Sequence, residues 1–327
     1  MKDLIELYYI SAPSGKENRM VNHIEKKLRS FGVTTYRDKA NNLYATKGVS
    51  ETYPCIVAHT DEVHAYKPKG FKVVQYQNML FGIDANRSKF SGIGADDKNG
   101  IWVALKCFEK YDVMKAAFFV SEEIGCVGSR VADMNFFDDC RFVLQCDRKN
   151  GSDFITNASM TELCSDEFVK AAQIKRFGYK PAHGIMTDVM QLKHNGLSVS
   201  CANISCGYYN AHTENEYTVI PELENCLKLV ENIIETCTDV YPHEDIFFSR
   251  EKRDSEYLLM YDFYYEQLKS KIEQIVMQMP TDEVPDYVQL FIDLAVEFPE
   301  IDEVDISLAY EEVTGESLYT LLYGEIV

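Results

Sequence analysis

Four short apolar runs constrain this chain more than any other feature: CIVA at 55–58, AAFFV at 116–120, FVLQC at 142–146 and LSVSCANI at 197–204. None alternates apolar with polar residues, as a strand with one wet face would; short unbroken runs are the pattern of strands buried on both faces. Stretches with helical spacing lie between several of them, notably NGIWVALKCFEKY at 99–111. That succession predicts an α/β fold with a mostly parallel, mixed sheet flanked by helices. An earlier helix is predicted from SGKE at 14–17, where Ser and Glu have capping-box spacing, through Val21, Ile24, Leu28 and Phe31 to a stop at Gly32.

In such sheets ligands sit beyond the carboxyl ends of the strands, so the polar residues after each run are the candidates for chemistry. CIVA leads into His59-Thr60-Asp61, AAFFVS into Glu122 and Glu123, and FVLQC into Asp147. GIGADDKNG at 92–100 places Asp96 and Asp97 at the start of the long helix, and NAHTENE at 210–216 brings His212. Each has a plain explanation when taken alone. Two aspartates can cap a helix, adjacent glutamates can decorate an exposed edge, and a single Asp or His can be a satisfied polar group. The His-x-Asp pattern recurs at His243-Glu244-Asp245 with no strand before it, and that copy is expected in a solvated turn. What argues for one site is the combination of five such elements where a parallel sheet would converge them.

So many carboxylates cannot be buried without cations. Two divalent ions held by Asp96, Glu123 and Asp147 with neutral His59 and His212 leave one positive charge, which a bridging hydroxide cancels. Zinc suits mixed imidazole and carboxylate donors, and a further carboxylate commonly orients a ligating histidine, the part expected of Asp61. Glu122 is then left over beside Glu123, free to move a proton as general base and acid.

SAPSGKE, IVAHTDEV, GADDKNG, SEEIG, QCD and NAHTENE, in this order over residues 11–216, resemble the co-catalytic zinc exopeptidases of the MH clan. That clan includes peptidase T, carboxypeptidase G and the leucine aminopeptidase branches. The resemblance implies His59, Asp96, Glu123, Asp147 and His212 as ligands of two divalent metal ions, Zn2+ first with Co2+ or Mn2+ as alternatives. It also implies that Asp96 bridges the metals, that Glu122 is the general base and acid, that Asp61 steadies His59, and that the Asp96-Asp97 peptide is cis. An Asp at position 147 is the commoner form among aminopeptidases. The chain departs from the branches with inserted domains: 65 positions separate Asp147 from His212 and 37 separate His59 from Asp96. Neither interval leaves room for the insertion, so residues 1–240 are expected to be a bare catalytic domain. In the lid-bearing branch a lid residue helps stabilise the oxyanion; the resemblance to lidless aminopeptidases, which use a tyrosine near the last histidine, implies Tyr208 or Tyr209 instead, with Tyr209 preferred, and a pair of packing tyrosines is the alternative.

Charge divides the chain in two. Residues 241–327 hold 21 acidic and 5 basic residues, a net of −16, against 31 and 28, a net of −3, for residues 1–240. The total of −19 excludes a nucleic-acid partner, which needs a basic face. All ten cysteines precede residue 238 and form no CxxC pair, as expected of reduced core thiols. The opening MKDLIELYYISAPSG, broken by Asp3 and Glu6, has neither a signal-peptide nor a membrane-span pattern and predicts a cytoplasmic protein without a membrane partner. Leu268, Ile272, Ile275, Val276 and Met279 fall at helical spacing, with apolar clusters at VQLFIDLAVEF and LYTLLY, so residues 241–327 are expected to form an acidic helical domain. Its charge reads as a solvated face, or as a surface for a protein partner or for substrate gating. The function expected is that of a di-metal aminopeptidase acting on short peptides. An N-acyl amino acid deacylase of the same clan is one alternative; a non-catalytic metal-binding protein whose acidic domain binds a partner is the other.

Overall fold

A computed structural model describes residues 1–159, 161–244, 256–278, 287–298, 301 and 303–316. The chain divides into two compact units, Met1–Asp245 and Ile246–Val327. The strands of the first are β1 (Thr34–Arg37), β2 (Leu43–Lys47), β3 (Tyr53–His59), β4 (Phe71–Tyr76), β5 (Met79–Asp84), β6 (Lys89–Phe90), β7 (Met114–Phe119), β8 (Cys140–Arg148), β9 (Asp153–Ala158), β10 (Thr161–Glu162), β11 (Lys180–Gly184), β12 (Cys201–Ser205), β13 (Tyr208–Tyr209) and β14 (Tyr217–Val219). Its helices are α1 (Lys2–Tyr8), α2 (Asn18–Ser30), α3 (Ala95–Lys110), α4 (Val127–Arg130), α5 (Asp166–Ala171), α6 (Asp188–His194) and α7 (Ile220–Thr236).

The larger sheet has the order β1-β2-β7-β3-β8-β12-β9-β10, with β11 beside β9. Its centre, β7-β3-β8-β12, is parallel and is flanked by antiparallel β2 and β9. CIVA, AAFFV and FVLQC fall in β3, β7 and β8, and the second half of LSVSCANI falls in β12. Along β3, Ile56 and Ala58 join one core cluster, while Cys55 and Val57 join the cluster on the opposite face. In β7 the split is Ala116 and Phe118 against Ala117 and Phe119. A strand that buries both faces disfavours polar residues on either, which is why β3 and β7 do not alternate. All ten cysteines are buried.

A second, antiparallel sheet, β13-β14-β5-β4 with β6 beside β5, was not expected. It uses the interval between His59 and Asp96 for β4, β5 and β6, and it pairs them with the segments on either side of His212. The seven residues 210–216 are thereby the connection of a β13–β14 hairpin, closed by the pairs Tyr208–Thr218 and Tyr209–Tyr217.

Two local expectations are corrected. α2 begins after Glu17 without a side-chain cap. Ser14 instead donates its hydroxyl to Asp61 Oδ2 at 2.7 Å, and Glu17 accepts from the Gly15 N–H and the Ser121 hydroxyl, so SGKE is not a capping box. His243 is not in a solvated turn: its side chain is 9% exposed, and its N–H donates to Ser198 O. Tyr241 likewise bonds Arg141 and Ser200 through its backbone, so residues 241–244 belong with the sheet unit; Asp245 lies outside the described residues.

The second unit contains α8 (Glu256–Gln278), α9 (Tyr287–Glu297) and α10 (Glu303–Thr314) among the described residues. Leu268 and Ile272 pack with Leu290, Leu294, Ile306 and Tyr310. Val276 is 37% exposed and off this face, while Met279 and LYTLLY lie outside the described residues. No helix among the described residues is long and apolar enough to cross a membrane.

Candidate metal centre

The site forms where the parallel strands end. His59 is the last residue of β3 and pairs in register with Phe119, the last of β7. Three residues later the β7 chain reaches Glu122 and Glu123 in a tight turn, with Gly125 and Cys126 donating N–H bonds back to Glu122 O. Asn42 holds this turn: its Oδ1 accepts from Val120 N–H, and its Nδ2 donates to Gly128 O. A Cβ at Gly128 would collide with both Val120 O and Asn42 Oδ1, so this position demands glycine. Asp147 lies near the end of β8, Asp96 at the start of α3, and His212 in the β13–β14 connection with φ +64.

These residues converge into two groups that share one member. His59, Asp96 and Asp147 form the first; Asp96, Glu123 and His212 form the second. His59 Nε2 lies 3.0 Å from Asp96 Oδ1 and 3.6 Å from Asp147 Oδ1. His212 Nε2 lies 3.3 Å from Asp96 Oδ2 and 3.0 Å from Glu123 Oε2. Asp96 thus turns one oxygen to each histidine. The Asp96-Asp97 peptide is cis. Asp61 sits behind the first group: Oδ1 is 3.3 Å from His59 Nδ1 and accepts the Glu122 N–H, while Oδ2 accepts the Glu123 N–H and the Ser14 hydroxyl. Glu122 belongs to neither group; its Oε2 stands 3.9 Å from His59 Nε2, and its Oε1 accepts the Cys126 thiol. Tyr209 is not brought to the cluster. Its hydroxyl donates to Glu222 and its ring stacks on Tyr217, because successive residues of β13 face opposite ways. The buried Tyr208 points to the site instead, its hydroxyl 3.4 Å from Asp147 Oδ1.

No family model matches the chain. A hydrolase of Pyrococcus abyssi, named for LysW-lysine and LysW-ornithine, is 34% identical over 68 residues, which is 21% of this chain and 19% of that relative. The matched stretch therefore spans about a fifth of that protein. Among solved structures, the aminopeptidase PepT of Bacillus cereus matches 73% of this chain and 98% of its own with a TM-score of 0.61 at 15% identity. A Staphylococcus aureus tripeptidase matches 72% and 97% with a TM-score of 0.57 at 14% identity. An aminopeptidase of Desulfurococcus kamchatkensis matches 73% and 98% with a TM-score of 0.53 at 18% identity. The chain has the aminopeptidase fold.

Within this aminopeptidase fold the donor set can be tested against a divalent cation. Tetrahedral zinc with donors at about 2.0–2.2 Å separates its ligand atoms by roughly 3.4 Å; the nitrogen–oxygen distances of 3.0 to 3.6 Å in the two groups match that edge. Charge points the same way. Among the described residues no Lys or Arg pairs with Asp96, Glu122, Glu123 or Asp147, whose ion-pair partners are the two histidines alone. Burial pushes the Glu122, Asp97 and Asp147 carboxyls well up, and neighbouring carboxylates add to it. Burial and the Asp96 charge lift Glu123 to about 7. Burial disfavours charged imidazole, yet Asp96 and Glu123 overcome it at His212 and push it up to about 12; at His59 the nearby Asp147, Asp61 and Asp96 outweigh burial and raise it well above the usual range. Protons are thus drawn in to balance charge that cations would otherwise balance. The residues present fit two divalent ions.

Four polar supports escaped the sequence reading. Gln145 donates to both Asp147 Oδ2 and Asp188 Oδ2, and it accepts from Thr187. Asn203 clamps the Asp147 backbone at both its N–H and its C=O. Gln145 carried a signal, as the lone polar residue inside a buried apolar run. Asp188 carried none, since the preceding β11 is an exposed edge strand without an apolar run.

Proposed function

We propose that the chain is a di-metal exopeptidase acting as an aminopeptidase on short peptides. The observation that carries the reading is the pair of donor groups sharing Asp96, with Glu122 adjacent and unused. His59, Asp96 and Asp147 would hold one ion and Asp96, Glu123 and His212 the other, with zinc as the fitting metal for imidazole and carboxylate donors. Bound there, such ions supply Lewis acidity to a peptide carbonyl and lower the pKa of water. Glu122 accepts the proton of the attacking water and delivers it to the departing amine. Asp61 holds His59 in orientation and fixes the Glu122-Glu123 turn through its two N–H bonds. Tyr208 supplies a hydroxyl toward the tetrahedral oxyanion, the part first sought in Tyr209. A surplus of buried carboxylates also favours a substrate that presents a free ammonium group. The fold shared with peptidases of this class adds support.

A second reading, amide hydrolysis of an N-acyl amino acid, is favoured by the match to the Pyrococcus abyssi hydrolase. One screen separates the two. Zinc-loaded protein is offered free-amine, N-acetylated and C-amidated peptides. Cleavage of only the free-amine and amidated peptides is the aminopeptidase result, cleavage of the acetylated ones is the deacylase result, and no turnover on any of them leaves a metal-binding protein.

A further inference from the structure

Glu216 lies four residues beyond His212 and belongs to neither donor group, yet its side chain is 1% exposed. Its Oε2 accepts the Gly94 N–H at 2.5 Å and lies 3.2 Å from His64 Nε2, while its Oε1 accepts the Asp96 N–H at 3.2 Å. The helix α3 starts here with no side-chain cap of its own, because its N-cap is Gly94, held at φ +65. A Cβ at Gly94 would strike the Glu62 carboxylate, itself buried against Lys67 and Lys98, so no capping side chain can stand there. Unpaired N–H groups at a helix start attract a carboxylate, and Glu216 supplies one from a different loop.

We propose that Glu216 is a positioning residue that couples the two metal-ligand groups, setting the His212 loop against the backbone of Asp96; this rests on the di-metal reading above. Asp96 must present Oδ1 to His59 and Oδ2 to His212 at once. A small rotation about its backbone improves one group only at the expense of the other. Glu216 fixes that rotation at the Asp96 amide and, through the three intervening residues, fixes the loop that brings His212. One carboxylate therefore sets two of the three residues of the second group, Asp96 and His212, and through Asp96 one of the three of the first.

The test is a zinc titration of chelator-stripped protein, wild type against Glu216→Gln and His64→Ala, with circular dichroism reporting the fold. Gln preserves the shape but turns one acceptor into an NH2 that faces an N–H donor. The expected result is two zinc equivalents in wild type and a loss of about 10- to 100-fold in zinc affinity in folded Glu216→Gln. His64→Ala, which removes one of three contacts without touching the cluster, should lose affinity in the same direction by less. A cap that served stability alone would lower the melting temperature and leave zinc affinity unchanged. Wild-type affinity at both sites in folded Glu216→Gln overturns the proposal. If that variant does not fold, His64→Ala decides, and its binding zinc like wild type overturns it. A wild-type chain that takes up no zinc refutes the di-metal reading itself.

Discussion

Glu122 and Glu123 are neighbours in sequence, and substituting each should have opposite effects on metal and turnover. Glu123 Oε2 stands 3.0 Å from His212 Nε2, inside the second donor group, whereas Glu122 Oε2 stands 3.9 Å from His59 Nε2 and shares no group. Glu122→Gln keeps the side-chain volume and leaves untouched the backbone N–H that binds Asp61. It removes only the capacity to accept a proton. Loss of a general base costs ~100- to 10,000-fold in rate, about 3 to 5 kcal/mol of transition-state stabilisation. Glu123→Ala removes one of three donors from its group, and the second ion should be lost from purified protein. The assay pairs elemental analysis with turnover of a free-amine peptide at saturating zinc. Glu122→Gln should retain two equivalents at strongly reduced kcat, and Glu123→Ala should hold one. A metal-free Glu122→Gln, or a fully loaded Glu123→Ala, would reverse the two parts and refute the reasoning.

Asp61→Ala should weaken zinc binding by roughly 10- to 100-fold, since it strips His59 of its orienter and three donors of their acceptor; Ser14→Ala, which removes one of those contacts, should do less, and unchanged titrations in both would show Asp61 to be incidental. Tyr208→Phe should lower kcat by up to about 100- to 1,000-fold if its hydroxyl meets the oxyanion, while Tyr209→Phe leaves kcat alone; the opposite ranking restores Tyr209. A chain ending at Asp245, once shown to fold by circular dichroism, should keep two zinc equivalents, because every residue of the donor groups precedes 213; loss of metal would place a ligand in the acidic segment. Removing that segment should also flatten the salt dependence of KM for basic peptides, if its charge steers them. Far from the site, the ammonium groups of Lys106 and Lys27 hold Asp3 down to about 2. A carboxyl lowered from its unfolded value of 3.8 contributes stability above that pH and loses it on the way down. The difference in urea midpoint between wild type and Asp3→Asn should therefore be constant at neutral pH and close as pH falls from about 4 toward 2; a constant gap would contradict the pairing.

The large sheet was legible because its central strands have no solvent face, so burial is written into short, predominantly apolar runs. The candidate donors stood out by position: His59, Glu123 and Asp147 lie within three residues of a run's end and Asp96 opens a helix, whereas His212 lies eight residues past the last run. The small sheet left no such mark. β4 and β5 have mixed burial, with Lys72, Gln75 and Tyr76 exposed beside buried Phe71 and Leu80, and their partner β14 is only three residues long. A pattern with one wet face and short partners separated by more than a hundred residues cannot be read from local periodicity. The choice between Tyr208 and Tyr209 could not be made without that sheet, since only the β13–β14 register decides which ring faces inward. SGKE misled for a different reason. Its spacing suits a capping box, but the Ser14 hydroxyl is engaged by the buried Asp61 and the Glu17 carboxylate by Gly15 and Ser121, so neither serves the start of α2.

The two sheets also explain how the centre is assembled. His59 arrives on the large sheet and His212 on the hairpin of the small one, and Asp96 lies between them at the head of α3. The spacing of the two donor groups is therefore a property of how one sheet is seated on the other. A buried polar network fixes that seating: the Tyr8 hydroxyl donates to Asn99 Oδ1 at 2.6 Å and lies 2.8 Å from Thr218 Oγ1, and Asn99 Nδ2 donates to Thr218 and to Cys206 O. This ties α1, the first turns of α3 and β14 at one point, three residues along the chain from Asp96. Apolar packing alone tolerates small slips between layers; a satisfied buried network does not, because any slip leaves a donor or acceptor unpaired. Two metal ions in these groups would need agreement to about 0.5 Å across elements more than a hundred residues apart. Directional bonds can supply that where hydrophobic contact cannot, and Tyr8, Asn99 and Thr218 place them beside the one residue that both histidines face.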